Sequence, residues 1–198
     1  MNKITHLRTS SLSPASHIRY DEDMFKNFVL KKLQKYVRQY FEQHPEVKLI
    51  AVAGSVGKTS TKRALATLLS QRYRVRMQEG NHNSEISVPM AILGIEMPGK
   101  VHNIFSWLGV FRAARHRVKR PTDVDIIIQE LGTDHIGDIA AFGEYLTPDI
   151  SLVTAVTAEH MEFFGSIETV AREELSIAQF SRFVLINRDD VDGRFSEF

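Results

Sequence analysis

The sequence contains no cysteine in its 198 residues. This absence excludes disulfide bonds, thiolate metal sites and a cysteine nucleophile, and it fits a cytoplasmic protein. The sequence also has no run of eighteen apolar residues, the length that a membrane-spanning helix requires, and residues 1–20 lack the apolar core of a secretory signal. We therefore expect no membrane partner.

The sequence has little net charge, because 25 Lys and Arg side chains are balanced by 24 Asp and Glu. Without an overall positive field, nucleic acid is not expected as a partner. One local run is basic, and it comprises Arg112, Arg115, His116, Arg117, Lys119 and Arg120. We interpret it as the solvated face of a helix that ends before Pro121, although phosphate or nucleic-acid binding is also compatible with it.

Apolar segments alternate between two periodicities along most of the chain. Short apolar runs predict strands, and segments with helical spacing lie between them. The predicted strands are 48–53, 73–77, 125–130, 150–156 and 182–187, and the predicted helices are 58–71, 89–96, 101–118, 136–145 and 167–180. This order predicts the α/β class, with a parallel sheet flanked by helices and with ligands bound beyond the carboxyl ends of the strands.

The segment before the first strand divides into two parts. Residues 1–20 are polar and predict a flexible or loosely docked lead-in. Residues 21–47 predict an amphipathic helix that is stopped by Pro45. The apolar stripe of this helix is compatible with a partner-binding face, but packing against the chain's own domain, residues 48–198, is favoured. The stripe contains Phe25, Phe28, Val29, Leu33, Tyr36, Val37, Tyr40 and Phe41.

The most specific motif lies between the first predicted strand and the following helix, and it reads Gly54-Ser55-Val56-Gly57-Lys58-Thr59-Ser60. A glycine loop at such a junction lets backbone amides and the helix N-terminus hold phosphate oxygens. The lysine supplies a point charge, and the threonine reaches a magnesium ion. The two glycines lie closer together than in the common phosphate loop, G-x-x-x-x-G-K-[ST], so the spacing is distinctive.

Two side chains after later strands are candidates for the same site. Glu130 ends the third predicted strand, where a carboxylate can hold magnesium directly or through water. His160 follows the fourth predicted strand, and from spacing alone a structural role and a metal-ligand role are equally open. The Asn- and Gly-rich loop at 79–85 is by itself ordinary turn chemistry.

Together these segments resemble the central ATP-binding domain of the Mur ligases, the ATP-dependent amide-forming enzymes of peptidoglycan precursor synthesis. The shortened glycine loop has that family's form, and the resemblance extends over about residues 48–190. Folylpolyglutamate synthases share the fold but usually carry Gly-Lys-Gly-Ser in this loop. Four segments resemble the D-alanyl-D-alanine-adding branch of the family: Gly80-Asn81-His82-Asn83 before Val88-Pro89, Glu130-Leu131-Gly132, Ala158-Glu159-His160 and Phe164-Gly165-Ser166.

The resemblance implies a P-loop NTPase-like fold and a defined reaction. A carboxylate of the substrate, a UDP-muramoyl-peptide, attacks the γ-phosphate of ATP to give an acyl phosphate, and an amine then displaces phosphate to form an amide. Lys58 and the loop amides would bind the phosphates, and Thr59 and Glu130 would hold one Mg²⁺ ion. By the same resemblance, His160 would ligate a second Mg²⁺ ion and Asn187 would lie against the adenine.

One position departs from the family pattern. Members usually place a carbamylated lysine in the helix after Phe-Gly-Ser, where it supports the second magnesium ion. This sequence has Glu174 at that position, or Glu173 if the register slips. Because a glutamate already carries the carboxylate that carbamylation would create, we expect Glu174 to substitute for the modified lysine.

The resemblance also implies parts of an enzyme that this sequence does not contain. A full ligase has an N-terminal domain for the UDP-sugar and a C-terminal domain that closes over ATP. We therefore expect a C-terminally incomplete central domain that needs a partner chain or a further domain. The alternatives are a non-catalytic or split nucleotide-binding module, a folylpolyglutamate synthase-like ligase, and an unrelated P-loop NTPase switch, which the short loop disfavours.

Overall fold

A computed structural model describes residues 14–80, 82–101, 103–158, 161–195 and 197–198, with side chains described from Met24 onward. In this part of the chain, five strands form one sheet: β1 (Lys48–Ala53), β2 (Val75–Met77), β3 (Ile126–Glu130), β4 (Ile150–Val153) and β5 (Val184–Ile186). All neighbouring strands pair in parallel, and their order is β2-β3-β1-β4-β5. The predicted α/β class with a parallel sheet is confirmed.

Helices connect the strands, as parallel pairing requires. They are α1 (Pro14–Gln43), α2 (Lys58–Leu69), α3 (Ser87–Leu93), α4 (Ile104–Lys119), α5 (Asp138–Gly143), α6 (Met161–Phe164) and α7 (Ile167–Leu175). Two 3-10 turns follow, at Ser176–Gln179 and Gly193–Phe195. None of the helices in the described ranges has the length and apolarity needed to cross a bilayer.

Both faces of the central strand are covered, because successive side chains of a strand point to opposite faces. Leu49, Ala51 and Ala53 belong to the larger core, which includes side chains of α1, α3, α5 and α7. Ile50 and Val52 pack with Ala66 of α2 on the other face. All five are buried, which explains why β1 reads as a continuous apolar run rather than an alternating one.

The aromatic stripe of α1 packs against the chain's own domain, as the favoured interpretation predicted. Val37 and Tyr40 join the main core, while Val29 and Leu33 form a second cluster with Trp107 and its neighbours on α4. All four of these α1 side chains are buried. The tyrosine hydroxyl shares a hydrogen bond with Thr122 Oγ1 at 2.9 Å. Helix α1 is therefore an integral layer of the domain.

Several element boundaries differ from the prediction. Helix α1 begins at Pro14, so residues 14–20 are helical and only 1–13 of the predicted lead-in lie outside the described residues. Proline is favoured in the first turn of a helix because its missing N–H needs no partner there. Helix α7 ends at Leu175 and continues as a 3-10 turn, and the short helix α6 was not predicted.

The strand register brings the candidate side chains to one edge of the sheet. Val52 pairs with Glu130 across β1 and β3, and Ala53 pairs with Val153 across β1 and β4. Since all strands run parallel, the β1–α2 loop, the end of β3 and the segment after β4 meet at the carboxyl edge. This edge positions the candidate site.

At the opposite edge, Arg74 binds Asp125 just before β3 and provides a pH-dependent contribution to stability. The guanidinium and the backbone N–H of Arg74 both donate to the Asp125 carboxylate, and these bonds lower the pKa of Asp125 from 3.8 to about 2. A lowered folded-state pKa adds stability above pH 3.8 that is lost as the pH falls towards 2.

We expect Asp125→Asn to have a lower free energy of unfolding than wild type at pH 7, and we expect this difference to shrink at pH 3. Urea unfolding at the two pH values measures it.

Arg74→Ala is the matched variant, because it removes the guanidinium and leaves the carboxylate. It should lose less of the pH dependence between pH 7 and pH 3 than Asp125→Asn does, because the backbone N–H at position 74 still donates to Asp125. A stability difference between wild type and Asp125→Asn that stays constant over this range would contradict the assignment.

Candidate nucleotide-binding site

The loop between β1 and α2 has a backbone shape that requires its two glycines. Gly54 has φ 120° and Gly57 has φ 85°, a region that side chains disfavour. A Cβ on Gly54 would also lie 2.9 Å from the backbone nitrogens of Thr154 and Ala155. The first glycine thus allows the loop to pass directly against the segment after β4, and the second lies immediately before α2.

The loop is fixed to the segment that follows β4. Ser55 N donates to the carbonyl of Ala155 at 2.9 Å, and Thr157 N donates back to Ser55 Oγ at 3.0 Å. Thr154 Oγ1 donates to the carbonyl of Val56 at 2.6 Å. These bonds hold the loop in one conformation, so its amides are arranged before any ligand arrives.

The N-terminus of α2 presents its amides and a cation to the same place. Gly57 is the residue before the helix and offers no capping side chain, so the first-turn amides, at 58–60, have no intrahelical acceptor. Lys58 Nζ donates to the carbonyls of Gly54 at 2.5 Å and Ser55 at 3.2 Å. Free amides, a helix dipole and an ammonium group together are the features of an anion site.

Thr59 and Glu130 converge as predicted. Thr59 Oγ1 donates to Glu130 Oε2 at 2.9 Å, and this carboxylate is buried at the end of β3. A hydroxyl and a carboxylate beside an anion site are the oxygen ligands that Mg²⁺ prefers. Three of the predicted residues, including Lys58, therefore lie around one end of the loop.

The structure adds Lys62, which sequence reasoning missed. Its Nζ lies 3.2 Å from Glu130 Oε2 and donates to the carbonyl of Gly80 at 3.1 Å, and its side chain is 2% exposed. Lys62 follows Lys58 by four residues, so the two lysines lie on neighbouring turns of the same helix face. That spacing was the available signal, but a lysine on a helix is usually exposed.

The loop after β2 is attached to the end of β3 and forms one wall of a cavity. Gln129 Nε2 donates to the carbonyl of His82 at 2.6 Å, and Gly132 N donates to the carbonyl of Asn83 at 3.1 Å. The cavity has a volume of about 570 Å³ and is lined by Lys58, Asn83, Ser84, Glu85, Thr133 and His135, among others. Because Lys58 belongs to both the phosphate loop and the cavity lining, the cavity lies next to the loop.

Glu174 and Glu173 are both buried on α7 but have different partners. Glu174 Oε2 accepts a hydrogen bond from Gly54 N at 2.7 Å, so the carboxylate contacts the phosphate loop itself. Glu173 accepts from Gly137 N at 2.8 Å and Ile139 N at 2.7 Å, at the start of α5. Glu173 is therefore a structural cap, and Glu174 is the residue positioned for the site.

These neighbouring glutamates give a matched pair of predictions. Glu174→Gln removes the charge that strengthens the bond to the Gly54 amide, and we expect nucleotide affinity to fall about tenfold. Glu173→Gln leaves a buried amide without a charged acceptor, and we expect a stability loss of about 1–3 kcal/mol with unchanged affinity. Calorimetric titration and urea unfolding measure the two quantities. Unchanged affinity and unchanged magnesium dependence in Glu174→Gln would contradict the role of this carboxylate.

Two predicted residues receive no support as ligands from the geometry. His160 lies outside the described residues, and within the described ranges no group of three His, Cys, Asp or Glu could hold a metal. Asn187 lies at the end of β5 and is exposed, and its Nδ2 donates to Asp190 Oδ2 at 2.7 Å. The second-metal and adenine assignments remain predictions.

Comparison with known protein families matches residues 52–197 to the Mur ligase middle domain. The chain belongs to the Mur ligase family. The match spans the phosphate loop and every strand after β1, so the resemblance seen in the sequence is confirmed. The fold is confirmed as that of a Mur ligase middle domain as well.

Curated relatives are ligases that this chain matches over part of their length. A UDP-N-acetylmuramoyl-tripeptide–D-alanyl-D-alanine ligase of Rickettsia prowazekii is 31% identical over 157 residues, which cover 79% of this chain and 29% of the relative. The Bacillus subtilis protein of the same name is 28% identical over 148 residues, covering 75% and 27%. The chain therefore spans less than a third of the length of these Mur ligases.

Solved structures of the family have the same fold. MurF from Acinetobacter baumannii superposes with a TM-score of 0.65 at 21% identity, over 83% of this chain and 32% of that chain. MurF ligase from Thermotoga maritima, solved in complex with ADP, gives 0.63 at 24% identity, over 85% and 34%. At these identities the likeness establishes the fold, and the site residues depend on this chain's own geometry.

Proposed function

We propose that this chain is the nucleotide-binding part of an ATP-dependent carboxylate–amine ligase of peptidoglycan precursor synthesis, acting in the cytoplasm. The observation that carries the proposal is the contact between Thr59 and Glu130 beside the free amides of α2. Family membership and the names of the relatives support the reaction class. The proposed substrates are ATP and a UDP-muramoyl-peptide.

The residues of the loop would bind and orient the triphosphate. The first-turn amides of α2 and the Lys58 ammonium would hold the β- and γ-phosphate oxygens. Glu174 fixes the Gly54 amide, which keeps the loop open to the phosphates. By the family pattern, Asn187 would lie against the adenine. Most of the rate enhancement in phosphoryl transfer comes from such positioning and charge neutralisation.

Magnesium fits the residues present, since a hydroxyl and a buried carboxylate converge within hydrogen-bond distance at the anion site. Thr59 and Glu130 would hold one ion, and His160 with Glu174 would hold a second. A bound ion would neutralise charge on the phosphate oxygens during transfer. Lys62 would keep Glu130 in place through its 3.2 Å contact.

The reaction proposed for the site proceeds in two steps. In the first, an oxygen of the substrate carboxylate bonds to the γ-phosphorus, and the bond from that phosphorus to ADP breaks. In the second, an amine nitrogen bonds to the acyl carbon, phosphate leaves, and the nitrogen loses a proton. The cavity beside Lys58 would receive the carboxylate, and a further domain or partner chain would supply the amine.

Two hydroxyls on α2, those of Thr59 and Thr61, provide the direct test. Thr59→Val removes the hydroxyl that contacts Glu130, and Thr61→Val removes one a half-turn away on the same helix. We expect Mg²⁺ to raise the affinity of wild type and Thr61→Val for ADP by about tenfold or more, and Thr59→Val to lose that increment. Wild type without ADP binding at millimolar concentration, or binding that ignores Mg²⁺, would overturn the proposal.

Measurements of ATP turnover distinguish the proposed ligase from the remaining alternative functions. A non-catalytic or split nucleotide-binding module would bind ATP but release no phosphate until its partner is added. A folylpolyglutamate synthase-like ligase would show turnover with a folate and glutamate, and not with a muramoyl-peptide. Phosphate release by the chain with each candidate carboxylate distinguishes these cases.

A further inference from the structure

The outward face of α4 is apolar in its N-terminal half and basic in its C-terminal half. At 100° per residue, positions 104, 108, 112, 115 and 119 form one stripe along the helix. The first half of this stripe is apolar: Ile104 is 55% exposed, Leu108 is 58% exposed, and the adjacent Phe105 is 75% exposed. The second half consists of the exposed cations Arg112, Arg115 and Lys119.

The opposite face of α4 is firmly packed, so the exposed stripe is held in place. Trp107, Val110 and Phe111 are buried against Val29 and Leu33 of α1. The indole N–H of Trp107 also donates to the carbonyl of Val101 at 2.8 Å, which orders the start of the helix. The exposed apolar residues therefore belong to a helix whose core-facing side is already packed.

Helix α1 continues both halves of this surface. Phe28 is 53% exposed and makes an edge contact with Phe111, with ring centroids 6.2 Å apart. Lys32 Nζ lies 4.6 Å from the centroid of the same Phe111 ring. A groove of about 540 Å³ between the two helices is lined by four cations, Lys32, Lys35, Arg115 and Lys119, and by one carboxylate, Glu42. The surface is thus continuous across α1 and α4.

The surface has a strong local charge that the net charge conceals. Residues 97–122 contain Lys100, Arg112, Arg115, Arg117, Lys119 and Arg120, and no Asp or Glu. Val101, which is 42% exposed and accepts the hydrogen bond from Trp107, extends the apolar half. Exposed aromatic and aliphatic side chains beside lysines and arginines are the features of helices that lie in the plane of a membrane interface.

We propose that the α1–α4 surface binds an anionic phospholipid membrane without spanning it, which departs from the expectation, drawn from the sequence, of no membrane partner. Phe105, Leu108 and Ile104 enter the boundary between headgroups and acyl chains, and the basic end of α4 contacts lipid phosphates. An anionic bilayer supplies hydrocarbon and phosphate side by side, which matches both halves of the stripe. Nucleic acid would leave the exposed aliphatic residues unexplained, and a second copy in antiparallel packing would set apolar against basic halves.

Vesicle co-sedimentation of the whole chain tests this proposal. We expect binding to vesicles of 70% phosphatidylcholine and 30% phosphatidylglycerol, weak binding to phosphatidylcholine alone, and release as salt is raised. Each basic residue near an anionic surface contributes about fivefold in affinity, so Arg115→Glu/Lys119→Glu should lower binding by about 25-fold or more. Phe105→Ser/Leu108→Ser should lower it by at least about tenfold.

Matched variants on α2 control for nonspecific effects. Leu68→Ser removes an exposed apolar residue, and Arg63→Glu reverses an exposed charge, both away from the surface. These variants should bind vesicles as wild type does, and thermal unfolding should confirm that all variants are folded.

Three results would overturn the proposal. They are no binding to the anionic vesicles, equal loss in the α2 variants, and binding to phosphatidylcholine alone that matches binding to the anionic mixture. Chain that binds no vesicles but forms a dimer lost in Phe105→Ser/Leu108→Ser would instead identify a self-association face. Binding of a short DNA duplex by chain that binds no vesicles would point to nucleic acid.

Discussion

Lys58→Ala is expected to weaken the binding of ADP and ATP at least about 100-fold. The ammonium lies at the phosphate loop, and its two carbonyl contacts hold it where the β- and γ-phosphates would bind. A charge-assisted hydrogen bond contributes about 1.5–3 kcal/mol, and Lys58 would make contacts to two phosphates. Calorimetric titration of the variant with ADP and magnesium measures the loss.

Arg63→Ala is the control for this prediction. Arg63 is an exposed cation on the same helix, about one and a half turns beyond Lys58, and it should contribute less than a threefold effect. Equal losses in the two variants would mean that the general charge of α2, and not the loop lysine, attracts the nucleotide. A Lys58→Ala variant with unchanged affinity would place the phosphates elsewhere.

Lys62→Met is expected to lower the free energy of unfolding by about 3–5 kcal/mol. The side chains of Lys62 and Glu130 are 2% and 3% exposed, so removing the ammonium leaves a buried carboxylate without its cation. The change also removes the hydrogen bond to the carbonyl of Gly80. Urea unfolding followed by the fluorescence of Trp107, the only tryptophan in the sequence, reports this quantity.

The double variant Lys62→Met/Glu130→Gln separates the charge from the packing. We expect it to recover at least half of the lost stability, because no uncompensated charge stays buried. Lys48→Met is the surface control, since the contact of Lys48 with Asp149 at 3.4 Å is half exposed and should contribute less than about 1 kcal/mol. A loss in Lys62→Met as small as in Lys48→Met would show that the pair is solvated.

Much of the fold could be predicted because the pattern and the packing agree. The apolar run of β1 is buried on both faces, and the stripe of α1 follows the helical period that its packing uses. The edges of elements were less predictable. Phe183 is apolar and was assigned to the last strand, but it is 71% exposed and lies before β5.

The parts of the candidate site that could be predicted are those whose residues lie close together in the sequence or at the end of a clear strand. The phosphate loop is one continuous segment, and Glu130 is the last residue of a strongly apolar strand, so parallel register places them together. Lys62 was not predictable, because its burial depends on the distant Gly80 carbonyl. The separate roles of Glu173 and Glu174 were also hidden, since they depend on which residue of α7 faces α5 and which faces the loop.

Titration of ¹⁵N-labelled chain with ADP and magnesium, followed by amide chemical shifts, tests the proposed nucleotide site most directly. If the loop binds the phosphates, the largest shifts fall on Gly54, Gly57, Lys58 and Thr59, with smaller shifts at 130–133. Amides of the α1–α4 groove should not move. Saturation without shifts in the loop, or with the largest shifts in that groove, would contradict the assignment of this site.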